Sequence, residues 1–401
     1  MKIEQLPAEF IAAAPVLEQI EAAGYEAYFV GGCVRDTLLG KPLHDIDIAT
    51  SAYPSEIKAI FKKTVDTGIE HGTVMILDHG QGYETTTFRT ESGYQDYRRP
   101  DEVTFVRSLA EDLKRRDFTI NALAMNPRGE VIDLFDGMTD LNAGIIRAVG
   151  DANERFNEDA LRMMRAVRFA SQLNFTIDPA TIDGLRQNAP LLSKIAVERI
   201  QVEFEKLMLG QQPVPALQLM DQTGLLMAAP VLAAIAPGLK QLMTVSTWPL
   251  TTPAMVWTAV AVTNGWDHQQ INTELKAWKL SNDLIKLVQA QRTYYQAATT
   301  GTVDAMVSFA ASEVIIRGAS AVAQLLGQPF DEAAALQQYR DLPIHNQREL
   351  AVNGGQLIQA GLQPGPALGQ ALKQLLTAVV TGELANETTQ LIQAATADEE
   401  N

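Results

Sequence analysis

The sequence predicts an α+β protein, in which a mixed α/β unit at the N-terminus is followed by helices alone. Runs of β-favouring residues occur only before about residue 145. From Glu154 onward, Ala, Leu, Gln and Met recur at helical spacing, with prolines between the runs. The 401 residues are 46% apolar and 20% charged, which is typical of globular proteins. A chain of this length is expected to form roughly two to four compact units.

The N-terminal unit begins with a predicted helix, with breaks expected at Pro7 and Pro15. Strands are then predicted at residues 27–30, 46–49, 73–77, 83–88, 102–106 and 131–135. Residues 78–82, Asp-His-Gly-Gln-Gly, have the composition of a hairpin loop, so we expect antiparallel pairing there. In the helical part, the Gln- and Ala-rich segment 320–395 keeps its apolar periodicity and is predicted to be helix.

Charge and cysteine content exclude several classes of protein. The net charge of −16 argues against indiscriminate nucleic-acid binding, because such binding needs clustered Lys and Arg. Cys33 is the single cysteine and there are five histidines, so we expect no internal disulfide, no Cys/His zinc site and a cytoplasmic location. The acidic N-terminus is unlike a signal peptide, and the apolar run at 254–262 is too short to span a membrane.

A double glycine after the first predicted strand is the first candidate site. The run Phe-Val-Gly-Gly-Cys-Val-Arg-Asp, residues 29–36, leads from a strand into a helix. Gly31 and Gly32 would let the backbone approach a phosphate closely, and the guanidinium of Arg35 could bind the phosphate oxygens. A tight turn with no ligand would have the same sequence, and that alternative stays open.

Two aspartates at the second predicted strand form a candidate metal site. Asp45 and Asp47 are two residues apart, so both carboxylates would project from one face of a strand. Carboxylates that close repel each other unless a divalent cation such as Mg²⁺ binds them, as in nucleotidyl transfer from a triphosphate. Glu84, on the predicted strand 83–88, is the best-placed third carboxylate. The alternatives are a solvated turn for the two aspartates and a half-exposed strand position for Glu84.

Basic residues precede an amphipathic segment at residues 114–122, Lys-Arg-Arg-Asp-Phe-Thr-Ile-Asn-Ala. Arg116 and Asp117 could hold a ribose or a triphosphate, since a guanidinium binds phosphate through two N–H groups. A basic helix start on the surface is the alternative.

Residues 158–168, Glu-Asp-Ala-Leu-Arg-Met-Met-Arg-Ala-Val-Arg, are predicted to form one helix, with Asp159 about 60° from Arg162 around its axis. Cytosine and adenine present an amine donor beside a ring-nitrogen acceptor, whereas uracil and guanine present the reverse order. A carboxylate beside a guanidinium can therefore pair with C or A and reject U and G, and so act as an amino-acid template. An ordinary surface salt bridge between Asp159 and Arg162 is the alternative.

In this order, the four motifs resemble those of the class II tRNA nucleotidyltransferases, the CCA-adding enzymes, which have bacterial poly(A) polymerases as close relatives. The motifs span residues 29–168, and the segments 133–147 and 196–200 are similar to the hinge between head and neck and to a helix that supports the neck. The resemblance implies a catalytic head of the polymerase β nucleotidyltransferase fold with a small mixed sheet, followed by helical domains. The implied boundaries are 1–145 for the head, 146–209 for a neck that recognises the base, 210–300 for the body and 301–401 for a tail that binds tRNA.

The resemblance also implies an activity and a role for each motif residue. The activity is template-independent addition and repair of the 3′-terminal CCA of tRNA, with CTP and ATP as substrates, Mg²⁺ as cofactor and pyrophosphate as product. The implied ligands are Asp45 and Asp47 for Mg²⁺, Gly32 and Arg35 for the triphosphate, Arg116 for the nucleotide, Asp159 and Arg162 for the base edge, and Arg165 and Arg168 for the nucleotide or the primer end. The acceptor arm of tRNA is the implied partner.

Further features bear on the subtype. The segment 89–100, which resembles the family's flexible loop, is complete, and this favours addition of all three nucleotides over addition of CC alone. No second His-Asp pair accompanies His44-Asp45, so we predict no phosphohydrolase activity. A poly(A) polymerase and a catalytically silent RNA-binding protein are the alternative functions. The helical tail could pack on its own body or across a two-fold axis, so a homodimer stays open.

Overall fold

The computed structural model describes residues 1–43, 45–95 and 99–397, with the backbone alone at 91–95 and 99–102. His44 and residues 96–98 of the predicted flexible loop lie outside the described residues. The chain divides into two compact units, Met1–Ala236 and a second that begins at Pro237. The first contains a mixed sheet and helices, and the described part of the second contains helices, so the predicted α+β class is confirmed. The division into head, neck, body and tail stays a prediction.

Eleven strands are found in the described residues, all in the first unit. They are β1 (Ala27–Val30), β2 (Asp47–Thr50), β3 (Thr64–Gly68), β4 (Thr73–Asp78), β5 (Gln81–Thr87), β6 (Arg89–Gln95), β7 (Arg99–Phe105), β8 (Leu123–Met125), β9 (Val131–Asp133), β10 (Ile145–Ile146) and β11 (Thr176–Ile177). Seven of them form one sheet in the order β3-β4-β5-β2-β1-β8-β9. Its pairs are antiparallel except for β2 and β5, which run parallel. β6 pairs with β7 and β10 with β11.

All six predicted strands are present, with ends that move by at most three residues. The predicted hairpin is confirmed, since β4 and β5 are antiparallel and Asp78 pairs with Gln81. The sequence did not predict β3, β6, β8, β10 or β11. In β8 all three side chains are buried, so the polar-apolar alternation that indicates a strand is missing.

The first unit contains eleven helices within the described residues, which come before, between and after the strands in sequence. They are α1 (Ala8–Ala22), α2 (Gly32–Leu38), α3 (Pro54–Ile60), α4 (Leu109–Lys114), α5 (Gly137–Ala143), α6 (Ala152–Glu158), α7 (Leu161–Leu173), α8 (Pro179–Asn188), α9 (Val197–Met208), α10 (Pro213–Gln222) and α11 (Leu225–Ala228). Pro7 is the N-cap of α1 and Pro15 lies inside it, so the predicted opening helix is present but the break predicted at Pro15 is wrong. Short 3₁₀ turns occur at Ile69–His71, Thr119–Asn121 and Ala189–Lys194.

From α12 onward, the described chain forms helices joined by short loops and one 3₁₀ turn, Gln347–Glu349. The helices are α12 (Pro230–Leu242), α13 (Pro253–Thr263), α14 (His268–Ala277), α15 (Asn282–Thr299), α16 (Ala305–Phe309), α17 (Glu313–Leu325), α18 (Glu332–Arg340), α19 (Gly354–Gln359), α20 (Pro366–Val380) and α21 (Thr388–Ala397). Buried Trp257 and Trp278 meet with ring centres 4.9 Å apart in the core of the second unit. None of the described helices is long and apolar enough to cross a membrane.

The core of the sheet fixes the two strand ends that carry the first two motifs. Val30, Ala49, Phe88, Leu113 and Ala124 are buried together in one cluster. Because β1 and β2 are antiparallel neighbours, the end of β1 lies beside the start of β2. The sheet therefore presents the double glycine and the aspartate motif at the same edge.

Candidate active site

A cleft of about 950 Å³ in the first unit gathers most of the residues predicted from the sequence. The predicted residues that line it are Gly31, Gly32, Arg35, Asp47, Arg116, Asp117, Asp159, Arg162, Arg165 and Arg168. Asp45 and Glu84 do not line this cleft, although both lie close enough to affect the titration of Asp47. The motifs, which are spread over 140 residues of sequence, therefore converge on one place.

The carboxylates lie at the edge of the cleft. β2 and β5 run parallel with Asp47 opposite Glu84, so these two side chains come from neighbouring strands. Asp45 lies in the loop before β2, so the prediction that Asp45 and Asp47 share a strand is wrong. Partial desolvation raises the pKa of Asp47, Arg116 lowers it, and the two nearby carboxylates raise it further. No three His, Cys, Asp or Glu side chains within the described ranges are close enough together to hold a metal ion.

The double glycine forms the turn between β1 and α2. Gly31 has a φ of 72°, in the left-handed region, and a Cβ there would lie 2.9 Å from Nη1 of Arg116. Gly32 is the first residue of α2, and a Cβ there would lie 3.7 Å from Nη2 of Arg35, an ordinary contact. Gly31 is therefore the position that requires glycine, for both its backbone conformation and the space that Arg116 occupies.

Arg35 is held in place by neighbouring side chains. It is buried and donates through Nε and Nη2 to the two carboxylate oxygens of Asp36, at 2.8 and 2.9 Å. Its Nη1 donates to Oδ1 of Asn121 at 2.6 Å, and its guanidinium lies 4.9 Å from the centre of the Phe169 ring. Three of the five N–H groups are therefore used, and the others can serve a ligand in the cleft.

Arg116 is held by a carboxylate that the sequence analysis did not identify. Its Nη2 lies 3.2 Å from Oδ2 of Asp112, and Nε and Nη2 of Arg115 donate to Oδ1 of Asp112 at 3.0 and 2.7 Å. Asp117 lines the cleft and also binds side chains of the chain itself, so its predicted contact with a ribose or triphosphate stays a prediction. Its carboxylate accepts from Arg165 Nε at 2.7 Å and from Asn121 Nδ2 at 3.0 Å.

The predicted helix at 158–168 is in fact two helices. α6 ends at Glu158, Asp159 adopts an extended conformation (φ −139°, ψ 104°), and α7 begins at Leu161. Asp159 and Arg162 are therefore not a helical i, i+3 pair, and the alternative of a surface salt bridge between them is also wrong. Each has another partner: Arg162 Nη1 donates to Glu158 Oε2 at 2.6 Å, and Asp159 accepts from Arg199.

The contact between Asp159 and Arg199 is bidentate. Arg199 Nη1 donates to Oδ1 at 3.2 Å and Nη2 donates to Oδ2 at 2.7 Å, while the backbone N–H of Leu161 donates to Oδ1 at 3.0 Å. Arg162 also donates through Nη2 to the carbonyl oxygen of Arg115, at 2.8 Å. The carboxylate and the guanidinium are thus fixed independently, although both line the cleft.

The other two arginines of α7 surround Phe169. The guanidinium of Arg165 lies 5.3 Å and that of Arg168 3.9 Å from the centre of its ring. Burial lowers the pKa of Arg168 to about 10, which still leaves it charged at neutral pH. Its Nε lies 3.0 Å from Oε2 of Glu203, but the N–H does not point at that oxygen, so the contact is an ion pair without an aligned hydrogen bond.

Several residues in the cleft or behind it were not predicted from the sequence. Arg199 stands in the motif Ala-Val-Glu-Arg-Ile, which indicated a supporting helix but no partner for the side chain. Asp112 precedes Arg116 by four residues, a spacing that would have paired them on a helix. Phe169, Lys41 and Lys206 carried no signal that separates them from ordinary core or surface residues, yet all three line the cleft.

Three families match successive parts of the chain. A family described as "Poly A polymerase head domain" matches residues 27–147, and one described as "Probable RNA and SrmB- binding site of polymerase A" matches residues 174–235. A third, "tRNA nucleotidyltransferase domain 2 putative", matches residues 249–395. Similarity therefore extends well beyond the motif region.

The relatives decide the family. The chain is 58% identical over 398 residues to the CCA-adding enzyme of Limosilactobacillus reuteri (strain DSM 20016), and 57% identical over 398 residues to that of Lactiplantibacillus plantarum. In both cases the match covers 98% of each chain. The chain belongs to the CCA-adding enzymes. Members of this family are tRNA nucleotidyltransferases, so the resemblance noted in the sequence is confirmed.

Solved structures of this family share the fold. The CCA-adding enzyme of Bacillus stearothermophilus, solved in complex with CTP, superposes with a TM-score of 0.88 at 40% identity, over 98% of both chains. The CCA-adding enzyme of Thermotoga maritima, solved with tRNA_CCA, has a TM-score of 0.65 at 21% identity, over 99% of this chain and 97% of that one. The second comparison supports the fold alone.

Proposed function

We propose that this cleft completes and repairs the 3′-terminal CCA of tRNA, using CTP and ATP and releasing pyrophosphate. The observation that carries the proposal is the convergence in one cleft of Asp47, Arg116 and the residues Asp159 and Arg162. Nucleotidyl transfer without a nucleic-acid template needs a place for the triphosphate, a carboxylate site for a metal and groups that select the base. The relatives' function in CCA addition supports tRNA as the acceptor.

Asp45 and Asp47 would hold Mg²⁺ in this proposal. The donor set fits a hard divalent cation, because carboxylate oxygens are its preferred ligands and because the pKa of Asp47 is raised by burial and by nearby carboxylates that a cation would neutralise. Lewis-acid stabilisation of charge on the triphosphate is the chemistry that Mg²⁺ supplies at such a site. Glu84, opposite Asp47 on β5, would contribute to the negative potential at this edge.

The triphosphate would lie against the turn between β1 and α2. Gly32 and Arg35 come from this turn and from α2, and Arg116 packs against it from the other side. Arg35 is already oriented by Asp36 and Asn121, so little side-chain entropy is lost when it binds a phosphate oxygen. Arg165 and Arg168, next to Phe169, would hold the nucleotide or the primer end.

Asp159 and Arg162 would select the base by pairing with its edge. The carboxylate accepts from the exocyclic amine of C or A, and the guanidinium donates to the adjacent ring nitrogen. Uracil and guanine present a carbonyl to Asp159 and an N–H to Arg162, so both contacts become repulsive or unpaired. Because each group is held by its own partner, the pair can keep a fixed spacing without touching each other.

The remaining expectations belong to the same proposal. The acceptor arm of tRNA would be held by the helical domains after the head, with the predicted boundaries near residues 145, 209 and 300. A cytoplasmic location fits an enzyme that acts on tRNA and contains a single cysteine. The homodimer stays an open prediction.

Incubation with tRNA that ends before CCA tests the proposal. CTP alone should add two residues, ATP alone should add none, and both together should add C, C and A in that order and then stop. An Asp47→Asn variant, which keeps the shape but not the charge, should lose at least about 100-fold in rate. Incorporation in another order, or unchanged turnover by Asp47→Asn, would contradict it.

The same assay separates the other subtypes. A poly(A) polymerase would lengthen RNA with ATP alone into a ladder of long products. A product that stops after two cytidines, with ATP present, would contradict the prediction that the segment 89–100 supports addition of all three nucleotides.

A further inference from the structure

Asp112 is a buried carboxylate whose position calls for an explanation. It lies on α4, its residue is 1% exposed, and it faces a small cavity of about 230 Å³. Asp47 and Arg116 line the same small cavity and also the main cleft, so Asp112 lies directly behind the proposed nucleotide site. A charge buried this deeply is costly unless specific partners compensate it.

Asp112 has two consecutive arginines as ion-pair partners, and the backbone N–H of Arg89 donates to its Oδ1 at 3.4 Å. Arg115 binds Oδ1 through two nitrogens, and Arg116 binds Oδ2 through Nη2 at 3.2 Å. Burial alone would raise the pKa of Asp112, but the two guanidinium groups outweigh it and hold the pKa below its usual value. Asp112 is therefore ionised at neutral pH, and its second oxygen is committed to Arg116.

The other contacts of Arg116 are too weak to fix the orientation of its guanidinium, so Asp112 sets that orientation. Nη1 lies 3.5 Å from the carbonyl oxygen of Asn121, which is a long contact, and Nε is buried without a hydrogen-bond partner among the described residues. Nη1 also lies over Gly31, where a Cβ would come within 2.9 Å. The ion pair with Asp112 is the one charged contact found for Arg116 in the described part of the chain.

We propose that Asp112 is a positioning residue for nucleotide binding, which holds Arg116 against the Gly31 turn and beside Asp47. This inference rests on the proposed function, because it gives Arg116 the role of a nucleotide contact. Without Asp112, the guanidinium of Arg116 would be free to turn toward Asp47, whose carboxylate already attracts it. Arg116 would then neutralise a metal ligand and no longer bind phosphate.

The test is a double-mutant cycle read out by nucleotide binding. CTP affinity without tRNA is measured by calorimetry for the wild type, Asp112→Asn, Arg116→Ala and the double variant, alongside kcat with tRNA lacking CCA. We expect Asp112→Asn to weaken CTP binding about tenfold, with a smaller effect on kcat. In the Arg116→Ala background, the same change should weaken binding by less than about twofold, because Asp112 acts through Arg116.

A matched control is Asp183→Asn, which removes an exposed aspartate that pairs with Arg186 on α8, away from the cleft lining. It should leave CTP affinity unchanged. If Asp112→Asn fails to fold, Arg116→Lys provides a second test. Lysine keeps the positive charge but lacks the planar guanidinium that binds Asp112. This variant should also bind CTP about tenfold more weakly than the wild type.

The outcomes separate the positioning role from a structural one. If Asp112→Asn lowers the melting temperature but leaves CTP affinity unchanged, Asp112 only stabilises the fold, and the proposal is overturned. Equal weakening in both backgrounds, a neutral Arg116→Ala, or wild-type affinity in Arg116→Lys would overturn it too. In these cases the wild type would still add CCA, whereas failure of the proposed function would appear as a wild type that adds no nucleotide.

Discussion

Asp159 has nearly all of its acceptor positions occupied before any nucleotide binds. A carboxylate offers about four lone-pair sites; Arg199 uses one on each oxygen and the N–H of Leu161 uses the second on Oδ1. One site on Oδ2 remains, which matches the single exocyclic amine of C or A. We therefore expect Arg199→Ala to loosen Asp159 and to raise incorporation of UTP and GTP, relative to CTP, about tenfold in single-turnover assays.

Two further variants decide whether this effect belongs to the ion pair. Arg199→Lys should restore part of the selectivity, because an ammonium can hold one oxygen but not both. Arg186→Ala, which removes an exposed arginine outside the cleft lining, should leave selectivity unchanged. If Arg199→Ala slows all four nucleotides by the same factor, Arg199 only supports the fold and does not set the orientation of Asp159.

Gly31, at the junction between β1 and α2, can be compared with Gly24, which lies in the loop before β1. Gly31 and Gly24 both have positive φ, 72° and 89°, but a Cβ at Gly24 would meet no atom within 4 Å. Alanine at either position should reduce the free energy of unfolding by at least about 1 kcal/mol because of the positive φ alone. Only Gly31→Ala should also displace Arg116 and weaken CTP binding, about tenfold in calorimetry. Equal CTP affinity for the two variants would show that the packing of Arg116 on Gly31 does not matter for binding.

At the scale of elements, the local sequence pattern predicted those strands and turns whose formation depends on neighbouring residues. Six strands were found, and so was the hairpin between β4 and β5, whereas β3, β10 and β11 were missed although they contain β-branched residues. The break between α6 and α7 was missed, because residues 158–168 have good helix propensity throughout. The side chain and extended backbone of Asp159 depend on Arg199, 40 residues away, and no local signal reports that contact.

The same limit explains which site residues were predictable. Asp47, Arg116 and Arg162 belong to motifs whose order indicates a chemistry, and the structure brings them to one cleft. Their supporting carboxylates did not stand out, because an acidic residue four positions before an arginine is common on solvated helices. Asp112 differs from such residues in its burial, and burial is a property of the fold that surrounds it.

At the scale of the whole molecule, the net charge of −16 and the pairing within the cleft have a joint consequence. Each of the seven arginines that line the cleft has a carboxylate partner inside the chain. The pairs are Arg35 with Asp36, Arg115 and Arg116 with the shared Asp112, Arg162 with Glu158, Arg165 with Asp117, Arg168 with Glu203, and Arg199 with Asp159. Because their charge is partly neutralised, these arginines attract distant phosphates only weakly. Because their orientation is fixed, they can still form strong hydrogen bonds to a phosphate that lies within the cleft.

This balance predicts weak binding to RNA that cannot occupy the cleft correctly. In fluorescence anisotropy at about 0.15 M salt, we expect a single-stranded poly(U) of tRNA length to bind at least about tenfold more weakly than tRNA lacking CCA. The slope of log affinity against log salt should correspond to only a few released counterions, because the net negative charge of the chain repels non-specific phosphates. Poly(U) that binds as tightly as tRNA, with a steep salt dependence, would mean that an extended basic surface dominates RNA binding. The paired arginines could not provide such a surface, so this result would contradict an acceptor-arm-specific enzyme and favour the poly(A) polymerase alternative.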